Sequence, residues 1–342
     1  MPLWPNKRDA LARILGRVGL VSLLETVGRR PGLVVLCYHR VGDPETDPFY
    51  APLVSARPEV FREQMERLSR AFRILSLEQA LDALTEGGPR EPSALVTFDD
   101  GYRDNLDLAA PILLDLKVPA TLFLTSGFLD GHLPWWDHVA AVVNRSPAAR
   151  LRLDRPEPIE GDLTSPESRA LALSSVILAY LRAARPDDPA LVAHLQERAE
   201  VDLDTRDLAR SLFLSWDGVR EWVQAGFSVG AHTSTHRKLS SLSPSEQAAE
   251  LIEPRRRIEQ ETGRPVLSLA YPFGDPSAFT AETKRLALEA GYRAAFALRS
   301  GVAGRGPLDL FALPRFNVMA ADSPALLRAR LALSVSVGRS VL

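Results

Sequence analysis

The chain has 342 residues, enough for one large domain or two smaller ones. Its 41 Lys+Arg and 43 Asp+Glu leave a net charge of −2, with both signs scattered, which excludes the basic surplus of a nucleic-acid binder. Hydrophobic residues at 46% and charged residues at 25% are those of an ordinary globular chain, and a single cysteine, Cys37, excludes an internal disulfide or a Cys-based zinc cage.

Residues 1–30 read as an amphipathic helix, with Leu11, Ile14, Leu15 and Val18 on one face and Arg8, Arg13, Arg17 and Arg29 among its charges. The longest clean apolar run there, 18–24, falls far short of the ~18 residues of a membrane span. No A-x-A-like cleavage site follows it, so a signal peptide is not expected. Such a helix packs on its own domain or lies on a membrane surface. A cytoplasmic or membrane-peripheral location is therefore expected, with peripheral membrane contact through this helix as the alternative to packing. Oligomeric state leaves no mark in the sequence.

From residue 31 onward, short apolar runs alternate with helical patterns, which predicts an α/β fold with parallel strands. Strands are predicted at 33–38, 94–98, 120–125, 227–231, 266–271, 294–298 and 311–318. Helices start readably: Pro58 precedes Phe61, Met65 and Leu68, and Ser76 with Gln79 forms a capping box. Ser243 with Glu246 forms another, opening a helix that Gly263 closes and that Pro254 should kink or split. Residues 129–214 break the rhythm, with several prolines, no clear strand and helical spacing such as Leu171, Val176, Ile177, Tyr180. They read as a helical insertion interrupting a catalytic domain at 31–323, followed by a C-terminal helix at 324–342. Trp135 and Trp136, at the start of this insertion, read as packing residues, and His132, His138 and His194 as structural.

Polar residues end four of the predicted strands. Val96-Thr97-Phe98 runs into Asp99-Asp100-Gly101-Tyr102, and Val229-Gly230-Ala231 into His232 and, four residues on, His236. Tyr271-Pro272-Phe273-Gly274 and Tyr38-His39 end two more. The carboxyl ends of parallel strands form the rim where β/α folds place their sites. Each cluster alone reads blandly, as a turn or a solvated helix face; their joint placement on one rim points to chemistry. Two adjacent buried carboxylates ionise together at high cost unless a cation is near. Four-residue spacing on a helical turn would put both histidines on one face, able to grip one ion with an aspartate. Two His and one Asp with open positions suit a catalytic divalent metal, which lowers the pKa of bound water towards ~7 and polarises a carbonyl.

Thr97-Phe98-Asp99-Asp100-Gly101-Tyr102 resembles the first motif of the polysaccharide deacetylases, the nodulation-protein-B homology domain or carbohydrate esterase family four. His232-Thr233-Ser234-Thr235-His236 is similar to the second motif, Pro119-Ala120-Thr121-Leu122-Phe123 to the strand between them, and Tyr271-Pro272-Phe273-Gly274 to the third. Tyr38-His39-Arg40-Val41 resembles the Y-H-x-[VI] motif of the branch acting on exported poly-N-acetylglucosamine. The resemblance implies a distorted (β/α)7-type barrel with a helical insertion, and a metal held by Asp100, His232 and His236. That metal would be zinc first, with cobalt, nickel or iron as alternatives. It implies Asp99 as general base, the Phe273 backbone N–H at the oxyanion, and Tyr271 and Tyr102 on the substrate side. The implied reaction is removal of an N-acetyl group from an amino-sugar glycan, a polysaccharide or a lipid-linked oligosaccharide.

Two departures matter. The arginine many relatives carry before the third-motif proline is Ala270 here, and Arg315 is the expected substitute. Many relatives supply the general acid from a C-terminal histidine, and none follows His236. In the branch with the Y-H-x-[VI] motif the corresponding histidine comes from the N-terminal strand, so the resemblance implies His39 in that role. Two rival expectations remain, an inactive glycan-binding protein on the same scaffold and another metal hydrolase such as a phosphoesterase. The second lacks a phosphate-cradling Gly-rich loop.

Overall fold

The computed structural model describes residues 31–183, 185–304 and 308–337. The expected helix at 1–30 lies outside the described residues. Among the described residues twelve strands follow in chain order: β1 (Gly32–Tyr38), β2 (Arg40–Val41), β3 (Val54–Ala56), β4 (Arg73–Ile74), β5 (Pro92–Phe98), β6 (Ala120–Leu124), β7 (Arg150–Leu153), β8 (Ile159–Asp162), β9 (Ser228–Ala231), β10 (Ser268–Ala270), β11 (Ala294–Phe296) and β12 (Phe316–Asn317). Contacts divide the chain into two compact units, one of residues 43–53 and 131–211, the other of the remaining described residues.

The larger unit is built on a sheet ordered β11-β10-β9-β6-β5-β1-β12, with β4 beside the start of β5, and every pairing in it is parallel. Its two edges approach one another through one segment: Leu313 bridges to Phe296 of β11, and Phe316 and Asn317 pair with Leu36 and Cys37 of β1. This is the curled sheet of a distorted (β/α)7 barrel, as expected.

Burial on both faces explains why the central strands read as nearly unbroken apolar runs. Alternation then sorts their side chains. Val34, Leu36 and Tyr38 of β1 join Phe61, Met65, Phe98 and Trp222 in the layer between sheet and helices. Leu33 and Val35 join Leu95, Phe123, Ala270 and Phe296 in a second cluster, inside the curl. Continuing that interior period of two carries the chain from Val35 to Cys37 and His39, from Leu95 to Thr97 and Asp99, and from Gly230 to His232. An apolar floor thus gives way to polar residues at the carboxyl rim.

Gly230 is required by close approach. A Cβ there would stand 2.4 Å from the Phe123 ring and 3.1 Å from the Ser268 carbonyl oxygen.

Three expectations change on contact with the structure. The predicted strand at 311–318 shrinks to Phe316–Asn317, because the segment crosses from β11 to β1 and Pro314 has no N–H for a ladder. The helix from Pro244 to Thr262 runs unbroken through Pro254. Both bonds of the Ser243 capping box, a left-handed Gly263 at its end, and buried Leu251 and Ile258 hold it together. The third change lies in the smaller unit, where β7 and β8 form an antiparallel hairpin in a stretch that reads as strand-free. Their alternation spans only four residues each, too short to stand out from the prolines around them.

The smaller unit otherwise is helical, with helices Trp135–Arg145, Pro166–Arg182 and Pro189–Arg198. Trp135 stacks on Tyr180 at 5.9 Å and meets Trp136 edge-on at 5.7 Å. Gly161 of β8 lets the hairpin touch the second helix, since a Cβ there would fall 2.6 Å from that of Ala172. Helix Pro324–Val337 ends the described chain. Among the described residues no helix is long and apolar enough to cross a membrane.

Candidate active site

The rim gathers the residues that the sequence places at strand ends. Asp99 and Asp100 follow β5, His232 follows β9, His39 follows β1, and Arg315 immediately precedes β12. Four of the six non-glycine residues with positive φ among the described residues stand at this rim: Asp100 (76°), Thr233 (66°), His236 (58°) and Phe273 (62°). Left-handed backbone is costly for side-chain-bearing residues, most of all a β-branched threonine, and such strain concentrates at functional sites.

Asp100 Oδ1 lies 3.4 Å from His236 Nε2 and 3.6 Å from His232 Nε2. Donors held about 2.0–2.1 Å from a tetrahedral ion sit about 3.3 Å from each other, so this trio fits one divalent cation. The chemistry of the donors agrees. His232 Nδ1 lies 2.8 Å from the Ala270 carbonyl oxygen, which can only accept, so Nδ1 carries the proton and Nε2 turns its lone pair towards Asp100. Burial lowers the pKa of His232, and burial with the nearby His232 and His39 lowers that of His236 well below its ordinary value. Both imidazoles are therefore neutral, the form that ligates.

The two histidines do not share a helical turn, contrary to expectation. They lie on an irregular loop whose bends come from the left-handed Thr233 and His236, and the His236 N–H donates to Thr233 Oγ1 at 3.1 Å. The spacing of four brings them together by a route the sequence does not announce.

A second cluster adjoins the first. Asp99 Oδ1 accepts from Arg315 Nη1 at 2.7 Å and Oδ2 from Nη2 at 2.8 Å, a bidentate pair with both residues buried. Burial alone would raise the Asp99 pKa, but the Arg315 guanidinium overrides it and holds the carboxyl well below the usual range. Asp99 Oδ2 also stands 3.8 Å from His232 Nε2, which joins the two clusters. Arg315 is itself held over the Phe123 ring, 5.5 Å from its centroid.

His39, Cys37 and Asp99 present donor atoms within 4.8 Å of one another. Burial pulls the His39 pKa down to about 4 against the opposing effect of Asp99. The Cys37 thiol is pushed up by burial, so it keeps its proton and donates to Asp99 Oδ2 at 3.4 Å. Sequence reasoning passes over Cys37. The signal that finds it is its interior position, midway between Val35 and His39 in the alternation of β1.

Phe273 stands at the rim with its ring edge-on to that of His236 at 5.1 Å and 36% exposed, while its N–H donates to no other group among the described residues. The two tyrosines expected on the substrate side are placed differently. Tyr271 is buried, stacked on Phe279 at 4.2 Å, and its hydroxyl donates to the Phe311 carbonyl oxygen at 3.0 Å. Tyr102 is buried against Phe213 at 4.6 Å, with the Arg40 guanidinium 5.1 Å from its ring centroid. Both side chains are buried in aromatic contacts, Tyr271 in the layer between sheet and helices.

Comparison with known proteins bears on the family and the fold. A family model described as polysaccharide deacetylase matches residues 86–156 and 175–295. The chain is similar to the putative polysaccharide deacetylase YxkH of Bacillus subtilis, 24% identical over 121 residues, a match that covers 35% of this chain and only 42% of that relative's length. Among solved structures, the Streptococcus pyogenes deacetylase PplD in complex with acetate has the same fold at a TM-score of 0.56 and 18% identity, covering 87% of this chain and 97% of that one. IcaB from Ammonifex degensii superposes at 0.55 with 19% identity, covering 90% of this chain and 99% of that one. Matched by the family model over more than half its length, the chain belongs to the polysaccharide deacetylase family.

Proposed function

We propose that this protein hydrolyses the N-acetyl group of an amino-sugar glycan, with a divalent cation, zinc foremost, held by Asp100, His232 and His236. The observation that carries the reading is the adjacency of that trio to a carboxylate clamped by an arginine: Asp99 lies 3.8 Å from His232 and in a fork with Arg315. The cation, when bound, would polarise the acetyl carbonyl and make water more acidic.

The chain's own residues then account for the proton. Asp99 is ionised and His39 neutral at rest, so neither begins with the proton that the leaving nitrogen needs. Asp99 takes a proton from the attacking water, and Arg315 keeps its carboxylate aimed and charged until then. His39, within 4.8 Å of Asp99, receives that proton and delivers it to the nitrogen as the C–N bond breaks. The hydroxyl ends on the acetyl carbon, the proton on the amine, and both side chains return to their starting states. The Phe273 N–H is the donor for the developing oxyanion.

The rival reading, an inactive glycan-binding protein, is favoured by the missing third-motif arginine and the absent C-terminal histidine. Arg315 on Asp99 weakens the first ground, and His39 beside Asp99 the second. Acetate release from N-acetylated chito-oligosaccharides and poly-N-acetylglucosamine, measured with metal content, tests the proposal. Metal-dependent release is expected; glycan binding without release, with the cation bound, overturns it.

A further inference from the structure

The loop carrying His232 and His236 is held from two sides. On one, the end of β6 and the residues after it supply donors: Thr125 Oγ1 to the His232 carbonyl at 3.0 Å, and the Gly127 N–H to that of Ser234 at 2.9 Å. On the other stands one side chain, Glu250, from the helix Pro244–Thr262. Its Oε2 accepts from the Ser234 N–H at 2.8 Å and the Thr235 N–H at 2.9 Å, and its Oε1 accepts from the Thr235 hydroxyl. Glu250 is only 7% exposed, and among the described residues no Lys or Arg pairs with it. A buried carboxylate is costly unless donors satisfy it, and here all three donors come from the loop between the two histidines.

We propose that Glu250 is a positioning residue for the cation site, fixing the separation of the two imidazoles through the main chain of Ser234 and Thr235. The inference rests on the proposed role of Asp100, His232 and His236 as ligands. Thr233 and His236 hold left-handed backbone that an unanchored loop would relax, spreading the imidazoles. Binding would then have to reorder the loop, and affinity would drop, as it does when groups supporting metal ligands are removed.

The test uses Co²⁺ as the sole probe on the full chain, with Glu250→Gln and Thr235→Val. Gln keeps the shape and one acceptor oxygen; Val removes only the hydroxyl donor. Four measurements are made: the Co²⁺ dissociation constant by chelator competition, the visible Co²⁺ spectrum, melting of the metal-free chain, and kcat with KM for acetate release. Glu250→Gln is expected to weaken Co²⁺ by about 10–100-fold and alter the spectrum, with a metal-free melting temperature near wild type. Thr235→Val should show a smaller change in the same direction. Saturating Co²⁺ should recover much of the lost kcat while KM stays constant. Wild-type affinity and spectrum in Glu250→Gln, or a loss matched by a loss of folded protein, overturns the proposal alone. A wild-type chain that does not bind Co²⁺, or His232→Ala binding it equally well, overturns the cation site and this inference with it.

Discussion

Arg315 reaches Asp99 from 216 residues further along the chain and meets both carboxylate oxygens, at 2.7 and 2.8 Å. The pair joins the segment that closes the curled sheet to the strand end that carries the aspartates, so the proposed base is oriented from the segment between β11 and β1. A lysine would supply the charge without the fork. Arg315→Lys is expected to lower kcat for acetate release by about 10²-fold while metal content stays at the wild-type level. Arg315→Met, which strands a buried carboxylate, should cost roughly 3–5 kcal/mol of stability in denaturant titration. Unchanged kcat in Arg315→Lys would show that the fork does not matter for the reaction.

The proposed division of labour between the two aspartates assigns metal binding to Asp100 and proton transfer to Asp99. Asp99→Asn keeps size and shape but cannot accept a proton, so acetate release should fall by about 10²–10⁴-fold with bound metal retained. His232→Ala should lose the metal, read by elemental analysis after dialysis. Reversed outcomes, metal lost in the first and kept in the second, would exchange the roles.

Much of this arrangement is legible from residue order, for a physical reason. β1, β5 and β6 are buried on both faces, which leaves long apolar runs, and their polar ends stand out against them. The barrel class, the rim and nearly every charged site residue follow from that contrast. What stays hidden depends on backbone conformation or long-range pairing. Thr233 and His236 adopt left-handed φ although neither is glycine or asparagine, so local sequence suggests a helical turn instead. The Glu250 anchor looks like an ordinary helix carboxylate until the loop is laid against it. The two tyrosines, named by motif, are buried by contacts with Phe279 and Phe213, which the motif alone does not reveal.

Gly230 links the floor of the barrel to the site. The Phe123 ring occupies the space where a Cβ would be, and Arg315 rests over that ring. Gly230→Ala must push Phe123 aside, an overpacking expected to cost about 1–3 kcal/mol and to lower kcat by disturbing Arg315. Adding Phe123→Leu should restore part of both. A melting temperature equal to wild type in the single variant would mean the ring moves freely.

The smaller unit carries a buried titratable group of its own. Burial lowers the pKa of His138 from the ordinary 6.5 to about 4, with a hydrogen bond to Gln196 opposing the shift. The unfolded chain therefore takes up a proton before the folded one as pH falls. The stabilisation is complete above pH 6.5 and is lost between there and about pH 4, a span worth roughly 3 kcal/mol. Hydrogen exchange in the helix Trp135–Arg145 should accelerate over that window, and His138→Gln should flatten the dependence. An equally steep dependence in the variant would assign the effect to other groups.

His39 is the residue whose role depends most on the leaving group. An amine leaves poorly unless protonated as the C–N bond breaks, whereas a nitrophenolate leaves without help. His39→Gln should thus lower acetate release from an N-acetylated glycan by at least about 10²-fold and leave hydrolysis of 4-nitrophenyl acetate within a few-fold of wild type. Metal content should not change, since His39 groups with Cys37 and Asp99 and not with the trio at Asp100. The comparison of the two substrates carries the argument, because a general loss of structure would depress both. Equal losses on amide and ester would assign His39 to holding the site together and leave the proton to another donor.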